Sequence, residues 1–463
     1  MRVQFWGTRG SLAKPGPTTL RYGGNTACVE VRTADGTLVV LDCGTGAHGL
    51  GLALAGSAEQ PVRGHLLITH THWDHIQGFP FFAPLFIRDN EWDIYAPGGL
   101  GQQLEVTLAG QMEYTYFPIT LSQCGATIRF HDLGEGSFQI GTLRVTARYL
   151  NHPALALGYR LEVDGAVVVY AVDHEPHARD RAGPAAGSGG GSPAHREDQR
   201  HVEWLAGADL IIHDAQYTVE EYPQRMNWGH TPAEWAVDYA LAAGAKRLAL
   251  FHHDPQRDDA ALDRLVDVCR RRAAGSRLDV FAAAEGQVVE LASSGVDAPR
   301  PDGLVAPPVS AEIPSREATT ILIADDDPTI VRLLTLTLEP QGFRLLTASD
   351  GETALRMARA EKPALVLLDW QMPGADGIAV TRALRADPDP DLRDVPVVLI
   401  TGLAGGENTA VGFDAGVTDY LTKPFQPSHV RTRVRTWLLR RESGPRGGGA
   451  GEPSAAHGSP AEA

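Results

Sequence analysis

Lysine and cysteine are scarce in this chain of 463 residues, which contains four of each. No two cysteines form a CxxC pair, so we expect free thiols in a reducing cytoplasm rather than a disulfide framework. The formal net charge of −16 argues against a general polyanion-binding surface, because affinity for phosphate backbones needs clustered Lys and Arg. These absences do not exclude a small phosphorylated substrate that is held locally by metal ions.

Long apolar segments are also missing. The N-terminal stretch MRVQFWGTRGSLAKPG has no continuous apolar core of the kind that a secretory signal requires. No apolar run approaches the roughly 20 residues that span a bilayer, so no membrane association is expected. Neither a helix-turn-helix signature nor a basic recognition segment is apparent, so we expect no DNA-binding domain.

Segments of low complexity divide the chain. Residues 181–200 are rich in Gly, Ser and Ala, which favours a flexible loop, either a mobile lid or a solvated insertion. Residues 296–318 are rich in Pro and lack periodicity, which predicts an interdomain linker. We therefore expect one domain over residues 1–295, a second over 319–441 and a disordered tail over 442–463.

The two predicted domains differ in their secondary-structure pattern. The first begins with strand-like runs such as TLVVLDCG, HLLITH and AVVVYAVD, and its helical patterns, PAEWAVDYALAAGA and DDAALDRLVDVCRRRA, come later. In the second, apolar strands such as TILIAD, ALVLLD and PVVLIT alternate with amphipathic helices. Strict alternation of this kind predicts a doubly wound parallel sheet.

The stretch LLITHTHWDH places His70, His72, Asp74 and His75 directly after an apolar strand. Residues i and i+2 of an extended segment point to the same side, so His70 and His72 can face one metal ion. Asp74 and His75 follow as the chain turns into a helix, and can face a second ion beside the first. The spacing therefore predicts a dinuclear site.

Three further side chains suit the same site. His152 follows a strand, Asp173 ends the strand AVVVYAVD, and His252 ends the strand RLALFHHD. Strand ends are where layered α/β folds place active sites. Imidazole and carboxylate ligands together suit zinc, iron or manganese, and a carboxylate such as Asp173 can bridge two cations. His253, next to His252, stays open as the alternative ligand.

The sequence THTHWDH matches the HxHxDH signature of the metallo-β-lactamase fold, which about residues 1–294 resemble. This resemblance implies a four-layer αββα sandwich with two divalent transition metal ions, zinc first and iron or manganese as alternatives. It implies that the first metal is held by His70, His72 and His152. The second would be held by Asp74, His75 and His252, with Asp173 bridging.

Two further stretches, LIIHDAQYT and WGHTPAEWA, resemble elements of the phosphodiesterase members of that family. The resemblance implies that His230 lies near the phosphate, that Asp214 supports it and that Asp74 belongs to the catalytic group. Asp214 stands where these members usually have Glu, and its side chain is one methylene shorter. The distance over which it can support His230 is therefore shorter than in those members. Alternatively, His230 merely precedes a helix that begins at Pro232 and is capped by Thr231.

This combination predicts hydrolysis of a small cyclic or nucleotide phosphodiester. Two cations would lower the pKa of water and offset charge on phosphoryl oxygens. A substrate of this size fits better than structured RNA, because no lysine-rich insertion is present. The alternatives are thioester, lactone or lactam hydrolysis or diiron redox chemistry at the same site, or a signalling module without catalysis.

In the second predicted domain, polar residues follow the strands of the parallel sheet. Asp325 and Asp326 follow the first strand, Asp369 the third, Thr401 the fourth and Lys423 the fifth. All would meet at the carboxyl edge. Three carboxylates there suit Mg²⁺, and the lysine and hydroxyl suit a phosphoryl group carried by an aspartate.

About residues 320–440 resemble the receiver domain of two-component response regulators, a flavodoxin-like (βα)5 fold. The resemblance implies that Asp369 accepts a phosphoryl group from a sensor histidine kinase. It assigns Mg²⁺ to Asp325, Asp326 and the Gln371 carbonyl, phosphoryl contacts to Thr401 and Lys423, a switch role to Tyr420 and a cis peptide to Lys423–Pro424. We thus expect a phosphorylation-controlled hydrolase whose receiver contacts the catalytic domain or a second subunit of a homodimer.

Overall fold

The computed structural model describes most of both predicted domains. The described residues are 1–58, 61–98, 104–163, 165–177, 195–291, 319–402, 415–425 and 427–442. The expected linker, the expected tail beyond residue 442 and most of the Gly-rich segment lie outside these residues.

The strands of the N-terminal part are numbered in chain order. They are β1 (Arg2–Gly7), β2 (Cys28–Arg32), β3 (Leu38–Leu41), β4 (Arg63–Leu67), β5 (Glu91–Pro97), β6 (Thr127–Leu133), β7 (Gly136–Ile140), β8 (Leu143–Tyr149), β9 (Leu157–Val163), β10 (Ala166–Ala171), β11 (Leu210–Asp214), β12 (Arg247–Phe251), β13 (Asp279–Ala282) and β14 (Val288–Glu290). Its helices are α1 (Ala47–Ala55), α2 (Trp73–Ile76), α3 (Leu104–Gln111), α4 (Arg196–Leu205), α5 (Ala233–Ala242) and α6 (Asp259–Arg272).

These strands form two seven-stranded sheets, in the orders β14-β1-β2-β3-β4-β5-β6 and β13-β12-β11-β10-β9-β8-β7. One apolar cluster, with members such as Phe5 and Val145, joins the facing sides of both sheets. A second cluster packs α4, α5 and α6 on the outer side of one sheet, and a third packs α1 and α3 on the outer side of the other. This layering confirms the expected αββα sandwich.

Parallel pairing at the centre of each sheet determines where the loops gather. Strands β3 to β6 are parallel in one sheet, and β10 to β13 are parallel in the other. Their carboxyl ends therefore lie at one edge of each sheet, where an α/β fold can place a site. The chain segments that follow β4, β10, β11 and β12 all start from such ends.

The C-terminal part is a doubly wound domain, as expected. Its strands are β15 (Thr320–Ala324), β16 (Arg344–Ala348), β17 (Leu365–Asp369), β18 (Val397–Thr401) and β19 (Asp419–Thr422), all parallel, in the order β16-β15-β17-β18-β19. Its helices are α7 (Pro328–Leu338), α8 (Gly351–Glu361), α9 (Gly377–Arg385), α10 (Pro390–Arg393) and α11 (Pro427–Glu442). Apolar clusters cover both faces of this sheet.

Helix α11 contacts both domains. Val430, Val434, Trp437 and Leu438 recur at helical spacing and pack with the strands of the C-terminal sheet. Leu439 is only 3% exposed and joins the apolar cluster between the two N-terminal sheets. The last helix of the C-terminal domain is therefore also part of the contact between the domains.

Several boundaries differ from the sequence expectations. The segment 181–200 was expected to be a loop throughout, but helix α4 begins at Arg196, because the sequence from there is amphipathic and follows a capping side chain, that of His195. Strand β4 ends at Leu67, so His70 does not follow the strand directly, as was expected, but lies three residues beyond its end. Strands β1, β6, β7, β11, β13 and β14 were not anticipated. Among the described helices, none combines the length and the apolar composition that crossing a membrane requires.

The buried imidazole of His195 makes the stability of the fold depend on pH. Its Nδ1 accepts a hydrogen bond from the Glu197 amide at 3.2 Å, and its ring stacks on His177 at 4.9 Å. Burial, with a further contribution from His177, lowers the pKa of His195 from 6.5 to about 4. The unfolded chain therefore binds the proton more readily, and folding stability is lost as the pH falls below the unfolded value.

We predict that His195→Asn loses less stability than the parent when the pH is lowered from 7 to 5, by about 1–2 kcal/mol. Asn also caps helices well, so the variant keeps the cap and removes the titrating ring together with its contact to His177. Denaturant unfolding of both proteins at both pH values measures the difference. Equal losses would show that His195 titrates at the same pH in the folded and unfolded chain.

Candidate metal centre

The predicted ligands come together at the facing edges of the two seven-stranded sheets. His70 and His72 follow β4, and Asp74 and His75 lie on the short helix α2. The other three, His152, Asp173 and His252, follow β8, β10 and β12. All except His72 are at least nine-tenths buried. Seven side chains from four separate segments therefore surround one interior space.

Four of these side chains form the first group: His70, His72, His152 and Asp173. The Asp173 Oδ2 atom lies 3.3 Å from His70 Nε2 and 3.5 Å from His152 Nε2. His152 Nε2 also faces His72 Nδ1 at 3.2 Å. These ligand atoms therefore point toward a common centre.

The second group consists of Asp74, His75 and His252. His252 Nε2 lies 3.1 Å from Asp74 Oδ2 and 3.3 Å from His75 Nε2. The other oxygen of Asp173, Oδ1, lies 3.0 Å from His252 Nε2 and 3.5 Å from His75 Nε2. Because each Asp173 oxygen faces one group, this carboxylate has the geometry of a bridging ligand.

The spacing of the ring nitrogens fits metal coordination. Two nitrogens bound tetrahedrally at about 2.0–2.1 Å from a Zn²⁺ ion lie roughly 3.3 Å apart. The nitrogen pairs of His72 with His152 and of His75 with His252 lie 3.2 Å and 3.3 Å apart. His70 Nε2 is buried with no hydrogen-bond partner among the described residues. The donor set therefore suits two divalent cations, as the fold implies.

The electrostatics leave several ligands in the protonation state that binds metal. Burial lowers the pKa of His70 and His72, and lowers that of His152 to about 3, so these imidazoles are neutral. Burial alone would raise the pKa of Asp173, but His252, His75 and the other surrounding imidazoles hold it well below its usual value. Neutral imidazole and ionised carboxylate are the coordinating forms.

Other groups orient the ligands from behind. His75 Nδ1 lies 2.8 Å from Asp42 Oδ2, and His152 Nδ1 lies 3.1 Å from the Gly229 carbonyl oxygen. The backbone amide of Ser11 donates to Asp74 Oδ2 at 2.7 Å. Such contacts fix the tautomer and ring orientation of metal-binding histidines.

Backbone strain concentrates at the same place. Asp42, Asp173 and His252 have φ values of 60°, 64° and 60°, in the left-handed region that non-glycine residues seldom adopt. Each such residue costs about 1–3 kcal/mol, and the conformation persists only where its surroundings enforce it. Asp173 and His252 turn their side chains into the site at the point where β10 and β12 end.

His230 and Asp214 form a pair beside the predicted ligands. The His230 Nδ1 atom lies 2.7 Å from Asp214 Oδ2, so the shorter carboxylate reaches the imidazole. The His230 ring lies 5.1 Å from that of His252. Burial lowers the pKa of His230, but the Asp214 charge outweighs it and raises the pKa to about 9. Thr231 is not the expected cap, since its hydroxyl bonds the His174 carbonyl and Pro232 is the N-cap residue of α5.

His252 and His253 point in different directions. His252 faces the predicted ligands, as described above. The ring of His253 bonds the Ala283 carbonyl oxygen through Nε2 at 2.9 Å and lies away from that space. The geometry therefore favours His252 over its neighbour as the candidate ligand.

The predicted receiver residues also meet at one sheet edge. Carboxylate oxygens of Asp325, Asp326 and Asp369 lie within 4.8 Å of one another. Lys423 Nζ lies 2.6 Å from Asp369 Oδ1 and 2.9 Å from Asp325 Oδ2, and the Gln371 amide donates to Asp369 Oδ2 at 2.9 Å. Three carboxylates and a lysine around one point fit a Mg²⁺ ion beside a phosphoryl group.

The remaining predicted receiver residues lie nearby. Thr401 ends β18 and is 4% exposed, and Tyr420 lies on β19 and is also 4% exposed. The Tyr420 ring is stacked on Trp370, which follows Asp369, with 6.3 Å between the ring centroids. The peptide bond Lys423–Pro424 is cis.

Supporting residues were the main omission from the sequence analysis. Asp42 was not singled out, although it directly follows β3, much as Asp173 lies two residues after β10. Glu175 was missed too, and its carboxylate accepts hydrogen bonds from the Asn227 and Gly229 amides at 2.7 and 3.0 Å. The position of Asp42 at a strand end was a usable signal, whereas nothing in the sequence pairs Glu175 with residues 227–229.

Comparisons with known families agree with this architecture. Residues 37–253 match the family model described as beta-lactamase superfamily domain, and residues 321–435 match the response regulator receiver domain. The chain therefore combines a domain of the metallo-β-lactamase fold with a response regulator receiver domain.

Similar proteins were found for each part. The DNA-binding response regulator MtrA of Mycolicibacterium smegmatis is 41% identical over 125 residues, which cover 27% of this chain and 53% of that protein. The chain thus spans about half the length of the known relatives it matches. The structure of human tRNase Z, short form, has 22% identity, a TM-score of 0.42 and covers 63% of this chain and 99% of its own. The Francisella response regulator 1452 receiver domain has 32% identity, a TM-score of 0.25 and coverages of 26% and 98%.

We predict that Gly229→Ala weakens metal binding about 10–100-fold, the usual cost of disturbing a contact behind a ligand. A Cβ at Gly229, where φ is +89°, would lie 2.1 Å from His152 Nδ1 and displace the ring. Gly207→Ala is the matched control, because Gly207 has φ of +68° and no atom within 4 Å of the added Cβ. Metal titration of both variants distinguishes displacement of His152 from backbone strain; equal affinities would contradict the prediction.

Proposed function

We propose that the N-terminal domain is a metal-dependent hydrolase of small phosphodiesters and that the receiver domain regulates it. The observation that carries this proposal is the His230–Asp214 pair beside the predicted metal ligands. Hydrolysis of a lactone or lactam with two metals does not by itself require a buried imidazole that is paired with a carboxylate at this position. A phosphodiester with an alcohol leaving group does benefit from a proton donor.

The proposed reaction is an in-line displacement of the leaving oxygen by water. Two bound divalent cations would lower the pKa of that water and offset the charge on the phosphoryl oxygens. The water would lose a proton to solvent, and the resulting hydroxide oxygen would form a bond to phosphorus as the bond to the leaving oxygen breaks. His230 donates the proton that the leaving oxygen takes up.

The surroundings of His230 suit the donation of this proton. Its Nδ1 is occupied by Asp214, which leaves Nε2 for the substrate. The Asp214 carboxylate is 0% exposed and also accepts a hydrogen bond from the Gln216 amide at 3.0 Å. It therefore holds the imidazole in one orientation and stabilises its protonated form.

Regulation is the second part of the proposal. The receiver domain implies a phosphodonor, and a sensor histidine kinase is the donor that we propose. Phosphorylated Asp369 would draw Thr401 and Tyr420 toward the phosphoryl group and change the surface that includes β19 and α11. Zinc is the metal that we propose first for the catalytic domain, with iron or manganese as alternatives, and Mg²⁺ for the receiver.

A substrate panel tests the catalytic part. The full chain, loaded in turn with Zn²⁺, Mn²⁺ or Fe²⁺, is assayed with cyclic nucleotides, cyclic ribose phosphates, small RNAs, thioesters, lactones and lactams. We expect a phosphodiester to be hydrolysed fastest, and His70→Ala to abolish the activity. If an acyl substrate is hydrolysed faster than every phosphodiester, the proposed phosphodiesterase function is wrong. Activity that persists in His70→Ala would exclude the metal-dependent mechanism.

We predict that His230→Ala lowers kcat about 10²–10⁴-fold for a cyclic nucleotide, whose leaving alkoxide needs a proton. The same variant should lose far less on bis-p-nitrophenyl phosphate, because p-nitrophenolate leaves without protonation. Steady-state kinetics with both substrates measure the ratio. His48→Ala, a change at an exposed histidine on α1, is the control and should leave both rates unchanged. Equal losses on the two substrates would rule out His230 as the proton donor.

We predict that beryllofluoride with Mg²⁺, a mimic of the acyl phosphate, changes kcat of the parent by about 5-fold or more, the usual range of coupling between sites. Asp369→Asn should abolish this response. Asp350→Asn is the matched control: the Asp350 side chain caps α8 by accepting from the Thr353 amide, it is not among the three clustered carboxylates, and Asn preserves the cap. An unchanged rate in the parent would exclude regulation through this receiver.

A further inference from the structure

An arginine of the receiver forms a hydrogen bond with the N-terminal domain. Arg433 of α11 is 7% exposed, and its Nη2 atom donates to Asp419 Oδ2 at 2.8 Å and to Asn151 Oδ1 at 3.1 Å. Asp419 begins β19 and directly precedes Tyr420, the predicted switch residue. Asn151 directly precedes His152, a predicted metal ligand. One guanidinium group thus contacts residues adjacent to both functional sites.

Asn151 is in turn bonded to Glu175. Its side-chain amide donates to the Glu175 carbonyl oxygen at 2.7 Å, and the Glu175 amide donates to the Asn151 carbonyl oxygen at 2.8 Å. Both residues are buried, with 4% and 1% of their surface exposed. A shift of Asn151 therefore moves the backbone of Glu175 with it.

The Glu175 carboxylate holds the segment that leads to His230. It accepts hydrogen bonds from the hydroxyl of Tyr222 at 2.7 Å and from the backbone amides of Asn227 and Gly229. The Gly229 carbonyl oxygen, one residue before His230, bonds His152. The series of hydrogen bonds that starts at Arg433 therefore reaches His152, a predicted metal ligand, and the residue next to His230, the proposed proton donor.

The position of Arg433 makes this connection sensitive to the receiver. The Trp437 indole also donates to Asp419 Oδ2 at 2.9 Å, so Asp419 fixes α11 relative to β19. Any displacement of β19 at Tyr420 changes the acceptor on which Arg433 depends. Because a buried guanidinium must keep its partners, its contact with Asn151 responds to that change.

We infer that Arg433 is a positioning residue through which the receiver controls the segment 227–230, an inference that rests on the proposed function for its catalytic consequence. Phosphorylation of Asp369 changes the position of β19. This change alters the strength of the hydrogen bond between Arg433 and Asn151. Asn151 and Glu175 then determine how His230 and His152 are placed. The regulatory contact is made within one chain, so a second subunit is not needed for it.

Hydrogen exchange of the full, metal-loaded chain tests this inference. Peptides that cover residues 225–231 are followed with and without beryllofluoride and Mg²⁺, in the parent, Arg433→Gln and Arg435→Gln. Arg435 is the matched control, because it lies on the same helix, is buried and bonds Gln341 within the receiver. We expect the mimic to change exchange at 225–231 in the parent and in Arg435→Gln, but not in Arg433→Gln.

Kinetics provide the second readout. The ratio of kcat with and without the mimic should fall to about 1 in Arg433→Gln and stay at the parental value in Arg435→Gln. A general loss of stability would change kcat in both variants without abolishing the response of only one. If the parent hydrolyses no phosphodiester, the proposed function fails, and the exchange measurement still decides the inference.

Asn151→Ala is a second variant, to be used if Arg433→Gln does not fold. It removes the hydrogen bond between Arg433 and Asn151 by a change in the N-terminal domain and leaves the receiver unchanged. It should also abolish the exchange response. In the double variant the effects on that response should not add, because both changes break one connection. A response at 225–231 that persists in either single variant, or that is absent in the parent, would overturn the inference.

Discussion

The Asp173 carboxylate is buried between two groups of imidazoles, and the arrangement of the N-terminal domain depends on it. Oδ2 faces His70 and His152, whereas Oδ1 faces His75 and His252. An isolated buried charge costs several kcal/mol, so this carboxylate is stable only among groups that carry or bind positive charge. The chain must therefore turn at Asp173, two residues after the end of β10, in a strained left-handed conformation, and the segments that follow β4, β8 and β12 must meet it there.

In the regulation that we propose, the surroundings of the predicted metal ligands are also the route from the receiver to the site. The ring of His152 is held by the Gly229 carbonyl oxygen, and that backbone is held by Glu175. Because Glu175 is bonded to Asn151 and Asn151 to Arg433, the helix that completes the receiver reaches the contacts behind the site. This arrangement needs no large motion of one domain against the other. In the mechanism that we infer, a change in the strength of a few buried hydrogen bonds alters the placement of the proposed catalytic groups.

The parts of the site that could be predicted lie close together in the sequence or at strand ends. His70, His72, Asp74 and His75 span six residues, so the local geometry of a strand and a turn is enough to bring them together. The orientation of the segment after β12 could not be predicted, because adjacent residues there point in different directions. The start of helix α4 was missed because the loop prediction used the overall composition of residues 181–200. The amphipathic pattern that starts at Arg196 is not visible in that overall composition.

By itself, the sequence determined the class of each domain, because the spacing of the histidines and the alternation of strands with helices are local properties. It also determined which aspartate of the receiver stands at the end of the third strand. Only the tertiary structure decided that His252 faces the ligands and that Asp214 reaches His230. It alone brought Arg433 to Asn151, residues that lie 282 positions apart. Such contacts depend on how whole layers pack, and no short stretch of sequence specifies that packing.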